Sequence, residues 1–226
     1  MTERARYETP SSIRGASAAK GFLLARVLRA TVAKLLLVLF RVSLCGAENI
    51  PASGGAILAG NHISYGDPVL LWCKSPRPTH FMAKSGLWDV HWLGWSLDHF
   101  WAFPVHRGTA DREAIQVATK LLGLGELVGI FPEGTRNLDG QAEAQGGVAL
   151  IAMRANVPVI PVGIAGTEKI RPAGTKSIRF PKVTICCGKP ICPDEIAGEG
   201  RKERVEAMTA QIMKSIAEQV DRARST

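Results

Sequence analysis

Two short polar segments carry the residues whose types and spacing could do chemistry. The first is 61–68, Asn-His-Ile-Ser-Tyr-Gly-Asp-Pro, which directly follows the apolar run Ala56–Ala59. A histidine titrates near neutral pH and can take a proton from an alcohol. Asp67 is close enough to His62 to fold back across one turn, where its carboxylate would fix the tautomer of the ring. The spacing alone is a weak signal, because most such His–Asp pairs are accidental.

The second segment is 131–136, Phe-Pro-Glu-Gly-Thr-Arg, at the end of another apolar run. Gly134 lets the backbone approach a ligand closely. Arg136 offers a planar fork suited to phosphate oxygens, and Glu133 can accept hydrogen bonds from glycerol or sugar hydroxyls. A charged turn with an internal Glu133–Arg136 pair is the alternative interpretation.

Two further segments complete the set. Residues 103–108, Phe-Pro-Val-His-Arg-Gly, are apolar at first and reach an arginine at Arg107. Residues 157–162, Val-Pro-Val-Ile-Pro-Val, have the composition of a strand but contain two prolines. Proline within a strand indicates a sheet edge or a bulge.

The elements that must position these residues alternate between strands and helices. Apolar runs predict strands over Val42–Cys45, Ala56–Ala59, Leu127–Phe131 and Val157–Ile164, with one or two more in Ser177–Cys187, broken at Pro181. Helical spacing predicts helices opening at Pro68 and over Asp111–Leu124, Gly147–Ala155 and Arg201–Arg224, the last with Val205, Met208, Ile212, Ile216 and Val220 inward. This order predicts an α/β fold with a largely parallel mixed sheet flanked by helices. The polar segments then lie at strand exits, where catalytic groups of such folds gather.

The positive charge of the chain is concentrated at its N-terminus. The net charge is +8, and residues 1–41 hold eight basic and two acidic residues, or +6 of it. Such a basic tip predicts an anionic partner, and no nucleic-acid fingerprint is present. Within 21–40 the apolar residues recur at helical spacing, interrupted by Arg26, Arg29 and Lys34. We therefore divide the chain into an N-terminal tail and membrane-associating helical segment over 1–40, the helix lying in the lipid interface, and a domain over 41–226. An ordinary amphipathic helix packed on the domain is the alternative.

Tryptophan and cysteine usage gives weaker signals. All five tryptophans lie in the stretch from Trp72 to Trp101. The cluster has three interpretations: a second membrane-facing surface, the wall of an acyl-chain groove, or plain core packing. The cysteines are odd in number, five, with no Cys-x-x-Cys pair. We therefore expect neither a disulfide framework nor a zinc site, and instead reduced, buried thiols.

Taken together and in order, the four segments resemble the motifs of the glycerolipid acyltransferases of the 1-acylglycerol-3-phosphate acyltransferase type. The first motif is matched by Asn61, His62, Ser64 and Asp67, and the second by Phe103 and Arg107. The third, Phe-Pro-Glu-Gly-Thr-Arg, is matched in full at 131–136, and the Val-Pro-x-x-Pro-Val strand at 157–162. The resemblance covers roughly residues 40 to 190.

The resemblance implies a role for each matched residue. His62 would be the general base that deprotonates the acceptor hydroxyl, and Asp67 its orienting partner. The hydroxyl would attack an acyl thioester of coenzyme A or acyl carrier protein, with no acyl-enzyme, no cofactor and no metal. The substrate-binding residues would be Asn61, Ser64, the phosphate binders Lys84, Arg107 and Arg136, and the acceptor-site residues Glu133, Gly134 and Thr135. The product would be phosphatidic acid in phospholipid biosynthesis, made at the cytoplasmic face of the cell membrane.

One departure leaves the acceptor open. The family often has Phe-Lys-x-Gly shortly after the third motif, and Ala144-Gln145-Gly146-Gly147 stands here without the lysine. Lysophosphatidate, glycerol 3-phosphate and another lysophospholipid all remain candidate acceptors. A serine hydrolase using Ser64 is a rival, though no Gly-x-Ser-x-Gly elbow is present. A non-catalytic lipid-binding protein is another, and it would not need both His62 and Asp67.

Overall fold

The computed structural model of the chain describes residues 30–99, 101–105, 112–134, 146–171, 175 and 177–226. The strands are β1 (Ser43–Cys45), β2 (Ala56–Gly60), β3 (Thr79–Lys84), β4 (Phe103–Val105), β5 (Leu127–Ile130), β6 (Val159–Ala165) and β7 (Thr184–Cys187). The helices are α1 (30–39), α2 (Gly66–Lys74), α3 (His91–His99), α4 (Arg112–Gly123), α5 (Gly147–Ala155) and α6 (Arg201–Ser225).

The seven strands form one sheet in the order β1-β7-β6-β2-β5-β3-β4. All neighbouring pairs are parallel except β6 and β7. The predicted α/β fold with a largely parallel mixed sheet is therefore confirmed. Strand β3 was not predicted, because Thr79–Lys84 mixes polar and apolar residues without a clean period. Helix α3 was not predicted either.

Helices cover both faces of the sheet, and each face has its own apolar core. One core packs α4, α5 and α6 on the sheet, through residues such as Leu121, Ile151 and Ile212. The other packs α1 and α2 on the opposite face, through residues such as Leu36, Leu70 and Leu71. The prediction for α6 is confirmed, with Met208, Ile212 and Ile216 buried and Val205 and Val220 packed at the margin of the core.

Strand β6 contains Pro161 yet lies inside the sheet, between β7 and β2. The prediction of a bulge holds and that of an edge does not. Val162 pairs with Cys187, whereas Val159 pairs with Ile191, so the antiparallel register shifts by one residue around Pro161. The proline thus faces the point where β7 has ended, and its carbonyl accepts a hydrogen bond from the Gly188 N–H at 2.8 Å.

The predicted region Ser177–Cys187 contains one strand, Thr184–Cys187, which lies after Pro181. The expectation for the cysteines was wrong. Cys45 and Cys186 form a disulfide, whereas reduced thiols were expected. These two residues are register partners on the neighbouring strands β1 and β7, with Cα atoms 4.7 Å apart. That pairing joins segments distant in sequence, so cysteine spacing could not reveal it.

The tryptophans divide between the core and the surface. Trp72 and Trp88 are buried, and the Trp88 indole donates to Asp98 Oδ1 at 2.9 Å, as core packing predicts. Trp95, in contrast, is 63% exposed. The side chain of Trp92 lies outside the described residues.

Candidate active site

His62 and Asp67 form a buried hydrogen-bonded pair at the end of β2. The imidazole Nδ1 lies 3.0 Å from Asp67 Oδ2. The residues between them make one turn that leads into α2, and the backbone N–H groups of Ile63 and Ser64 also donate to Oδ2, each at 2.7 Å. Asp67 is fully buried and the His62 side chain is 11% exposed. The local sequence thus folds its own carboxylate back onto the histidine.

A third element completes the environment of the carboxylate. The hydroxyl of Thr167, just after β6, donates to Asp67 Oδ1. Two amides and one hydroxyl therefore donate to a carboxylate that only accepts, so the remaining partner, His62 Nδ1, is the protonated ring nitrogen. The lone pair of Nε2 is then free to take a proton, which is the arrangement of a general base.

Asn61 fixes the end of β2 against β6. Its amide nitrogen donates to the Ile164 carbonyl at 3.0 Å, and its amide oxygen accepts from the Ile164 N–H at 2.7 Å. The side chain thus continues the pairing of the two strands beyond Gly60, the last residue of β2. Since His62 follows Asn61 and Thr167 follows β6, this bridge holds the base and the hydroxyl that contacts its carboxylate in one place.

An aromatic stack also supports the imidazole of His62. The rings of His62 and Phe131 are nearly parallel, with centroids 4.4 Å apart. Phe131 in turn stacks on Phe81 of β3 at 6.0 Å. Phe81 packs directly over Gly129, where a Cβ atom would lie 2.2 Å from the ring. Gly129 therefore allows the stack that limits the orientation of the base.

The Phe-Pro-Glu-Gly part of the third motif forms a turn beside His62. The Gly134 N–H donates to the Phe131 carbonyl at 3.0 Å, and Gly134 has a φ of 63°, which glycine adopts without strain. Glu133 is buried, and its Oε2 lies 3.4 Å from the His62 backbone N–H. The first and third motifs therefore meet, as the sequence suggested.

The remaining predicted substrate-binding residues divide into three groups. The Ser64 hydroxyl accepts from the Gly66 N–H at 3.2 Å, within the turn that carries Asp67. Lys84 is exposed at the end of β3, where it pairs in register with Val105 of β4. Arg107, Thr135 and Arg136 lie outside the described residues, as does the Phe-Lys-x-Gly departure at Gln145. Their roles stay predictions.

Sequence reasoning did not identify Thr167, nor the stacking role of Phe131. The available signal for Thr167 was a polar residue directly after Gly166, at the exit of a predicted strand. Nothing local, however, links it to Asp67. The geometry also weakens the serine hydrolase reading. Among the described hydrogen bonds, none joins the Ser64 hydroxyl to His62, whose Nδ1 is engaged by the carboxylate.

Comparison with known proteins bears on this site. The family model described as Acyltransferase matches residues 41–165, which include all the described site residues except Thr167. A 1-acyl-sn-glycerol-3-phosphate acyltransferase of Bacillus subtilis is 33% identical over 178 residues, which cover 78% of this chain and 87% of that protein. A chloroplastic enzyme of the same name from Arabidopsis thaliana is 29% identical over 75% of this chain and 49% of its own length.

The fold is also similar to a solved structure. The crystal structure of the 1-acyl-sn-glycerophosphate acyltransferase PlsC from Thermotoga maritima superimposes with a TM-score of 0.70 at 25% sequence identity. The match covers 92% of this chain and 89% of that one.

Proposed function

Because the chain belongs to the acyltransferase family, we propose that it transfers a fatty acyl chain from a thioester to the free hydroxyl of 1-acyl-sn-glycerol 3-phosphate. The product is phosphatidic acid. The observation that carries this proposal is the buried His62–Asp67 pair, with Nδ1 held by the carboxylate and Nε2 free as a base. The names of the similar enzymes support the choice of acceptor.

In this mechanism His62 Nε2 takes the proton of the acceptor hydroxyl as its oxygen attacks the thioester carbonyl. The tetrahedral adduct collapses with cleavage of the carbon–sulfur bond, and the departing thiolate receives the proton from His62. One ester and one free thiol result, so base and proton donor are the same ring. Asp67 stabilises the imidazolium that forms between the two steps, as in other His–Asp pairs. The reaction needs no resident cofactor or metal, and the donor is either acyl-coenzyme A or acyl carrier protein.

The acceptor phosphate gives the basic residues their role. Lys84 is the last residue of β3, and His62 follows the last residue of β2, so both lie at the carboxyl ends of the parallel strands. In the sequence, Arg107 follows β4 and Arg136 follows β5. An arginine fork matches a phosphate better than a point charge does. Glu133 and Gly134, beside His62, are suited to contact the glycerol backbone.

An assay of thiol release tests the proposed function. Purified protein is given acyl-coenzyme A with lysophosphatidate, with glycerol 3-phosphate, or with no acceptor, and both the thiol and the lipid product are measured. We expect release that depends on lysophosphatidate and equals phosphatidic acid formed. Release without acceptor would indicate a hydrolase instead. If no thiol is released with either acceptor, and none when the donor is acyl carrier protein in place of coenzyme A, the protein is a lipid-binding protein.

We further propose that α1 contacts the membrane with one face while it packs on the domain with the other. Ala33, Leu36 and Leu37 pack on the core. The other side of the helix is exposed, and it carries the large apolar residues Val32, Leu35, Val38 and Leu39 alongside Thr31 and Lys34. A helix with large apolar residues on both its packed and its exposed side is normally covered on both. None of the helices in the described part of the chain is both long and apolar enough to cross a bilayer.

The packing of α1 decides how this contact is tested. Deleting 1–40 would uncover the core, because Phe40 is buried. The sharper variant is Leu35→Ser with Val38→Ser, since these side chains are 63% and 75% exposed. We expect it to float less with vesicles of phosphatidylcholine and phosphatidylglycerol than the wild-type protein does. Leu124→Ser, at a leucine 57% exposed after α4, is the matched control. Equal flotation of all three proteins would contradict a membrane contact by α1.

A further inference from the structure

Two large apolar side chains stand exposed on the segment 177–182, far along the chain from α1. Ile178 is 67% exposed and Phe180 is 47% exposed. The segment has no regular secondary structure, yet backbone hydrogen bonds hold the chain on both sides of Phe180, at Arg179 and at Val183. The Arg179 N–H donates to the Ile170 carbonyl at 2.8 Å, and the Val183 N–H donates to the Phe40 carbonyl at 3.0 Å. The exposure of Ile178 and Phe180 therefore belongs to a held backbone.

The segment borders the end of α1. The rings of Phe40 and Phe180 lie 5.4 Å apart, and the Arg41 guanidinium donates to the Phe180 carbonyl at 3.1 Å. Phe180 thus lies against the end of α1, the helix whose exposed side carries Val32, Leu35, Val38 and Leu39. Large exposed apolar side chains gathered in one region mark a site of interaction.

The charges of the two chain segments around this surface are predominantly positive. Across 30–42 and 166–183 the sequence has seven basic residues and one acidic residue. The basic side chains described there are all exposed, namely Lys34, Arg41, Lys169, Arg171, Arg179 and Lys182. The single acid, Glu168, accepts a hydrogen bond from the Gly166 N–H at 2.8 Å within its own turn. An apolar patch with a basic rim is complementary to an anionic lipid surface.

The surface also lies next to the catalytic turn. Ile170, whose carbonyl holds Arg179, packs with its side chain against Gly66, where a Cβ atom would lie 3.1 Å from Ile170 Cδ1. Gly66 directly precedes Asp67. A lipid acceptor could therefore keep its acyl chain in the bilayer while its glycerol hydroxyl reaches His62.

We propose that the segment 177–182 is a second membrane-docking element, in which Ile178 and Phe180 enter the acyl boundary of an anionic leaflet and the surrounding basic residues bind its headgroups. It acts together with α1 and turns the catalytic end of the sheet toward the lipid. The proposal rests on the proposed function only in taking the acceptor to be a membrane lipid.

Vesicle partitioning tests the segment without any turnover. The full chain and its Ile178→Ser/Phe180→Ser variant are titrated with vesicles of phosphatidylcholine and phosphatidylglycerol, and the bound fraction is measured by flotation. We expect the partition coefficient to fall about tenfold or more, because two apolar side chains no longer leave water. Leu124→Ser is the matched control and should bind as the wild type does. Wild-type binding by the double variant would overturn the proposal.

Two further variants make the result specific. Phe180 contacts Phe40, so Ile178→Ser alone repeats the test at the more exposed position, with thermal unfolding as the check on the fold. Arg179→Glu should weaken binding to anionic vesicles about tenfold, and Arg201→Glu, an exposed arginine at the start of α6, should not. If the two charge reversals weakened binding equally, the effect would come from the net charge of the protein and not from the position of Arg179. That result would overturn the proposed role of the basic residues. Because no measurement here involves catalysis, a failed acyl-transfer assay would leave these results interpretable.

Discussion

The hydroxyl of Thr167 donates to Oδ1 of Asp67 although the two residues are 100 positions apart in the chain. Both are buried, and the other carboxylate oxygen already accepts from His62 and from two backbone N–H groups. Thr167 therefore satisfies the one side of the carboxylate that the local turn leaves open. We assign it as a positioning residue, which acts on His62 through Asp67.

Replacing Thr167 with valine should lower kcat about tenfold and leave the Michaelis constant for the thioester unchanged. Valine keeps the shape of threonine but leaves a buried carboxylate oxygen without a donor, at a cost of about 1–3 kcal/mol. Steady-state kinetics of the two variants Thr167→Val and Thr167→Ser measure the effect. Serine retains the hydroxyl and should restore most of the rate. Equal losses in both variants would assign Thr167 a packing role instead.

Replacing His62 with alanine should abolish acyl transfer, and Asp67→Asn should leave a trace. Loss of a general base typically removes a factor of about 10² to 10⁴ in rate. Asparagine keeps one acceptor but can no longer stabilise the imidazolium, and its amide group cannot accept from every present donor. The measurement is thiol release by purified variants whose circular dichroism matches the wild type. Near wild-type turnover by a folded His62→Ala protein would refute the mechanism.

Replacing Arg136 with alanine should raise the Michaelis constant of the acceptor more than that of the thioester. Hydrogen bonds to a charged group contribute roughly 1.5–3 kcal/mol, which corresponds to about ten- to a hundredfold. The comparison requires initial rates with each substrate varied in turn. Arg136→Lys serves as the control, since lysine keeps the charge and loses the fork. Equal weakening toward both substrates would indicate a structural role for Arg136.

The free energy of unfolding should fall as the pH drops below about 6.5, through His80. Burial lowers the pKa of His80 from its ordinary value, although Glu126, with Oε2 3.7 Å from Nε2, opposes the shift. The unfolded chain therefore takes up the proton first. The stability that neutral His80 contributes is fully present at pH values above the pKa of His80 in the unfolded chain. It is lost as the pH falls toward the lower pKa of His80 in the folded protein.

Thermal unfolding at about pH 7.5 and about pH 5.5 measures this dependence. In His80→Gln the difference between the two midpoints should shrink, because glutamine does not titrate. His91→Gln removes an exposed histidine on α3 and should leave the difference as it is in the wild type. An unchanged difference in His80→Gln would show that another group causes the acid sensitivity.

The part of the site that the sequence predicted is the part built from neighbours in the chain. His62 and Asp67 meet across one turn, so the contact lies within the single segment whose spacing and motif resemblance indicated it. The strands β2, β5 and β6 were predicted because central parallel strands are buried on both faces and consist of unbroken apolar runs. The helix α6 was predicted because its inward residues recur at the helical period. In each case the determining interaction lies within a few residues.

Tertiary structure alone decided the remainder. Thr167 reaches Asp67, and Cys45 reaches Cys186, only because strand order places β6 beside β2 and β1 beside β7. The stack of Phe131 on His62 likewise requires β5 to lie between β2 and β3. Strand order follows from how whole faces of the sheet are covered, which no local period encodes. The sequence by itself therefore determined the base, its carboxylate and the class of fold, and tertiary packing determined which distant side chains hold the base in place.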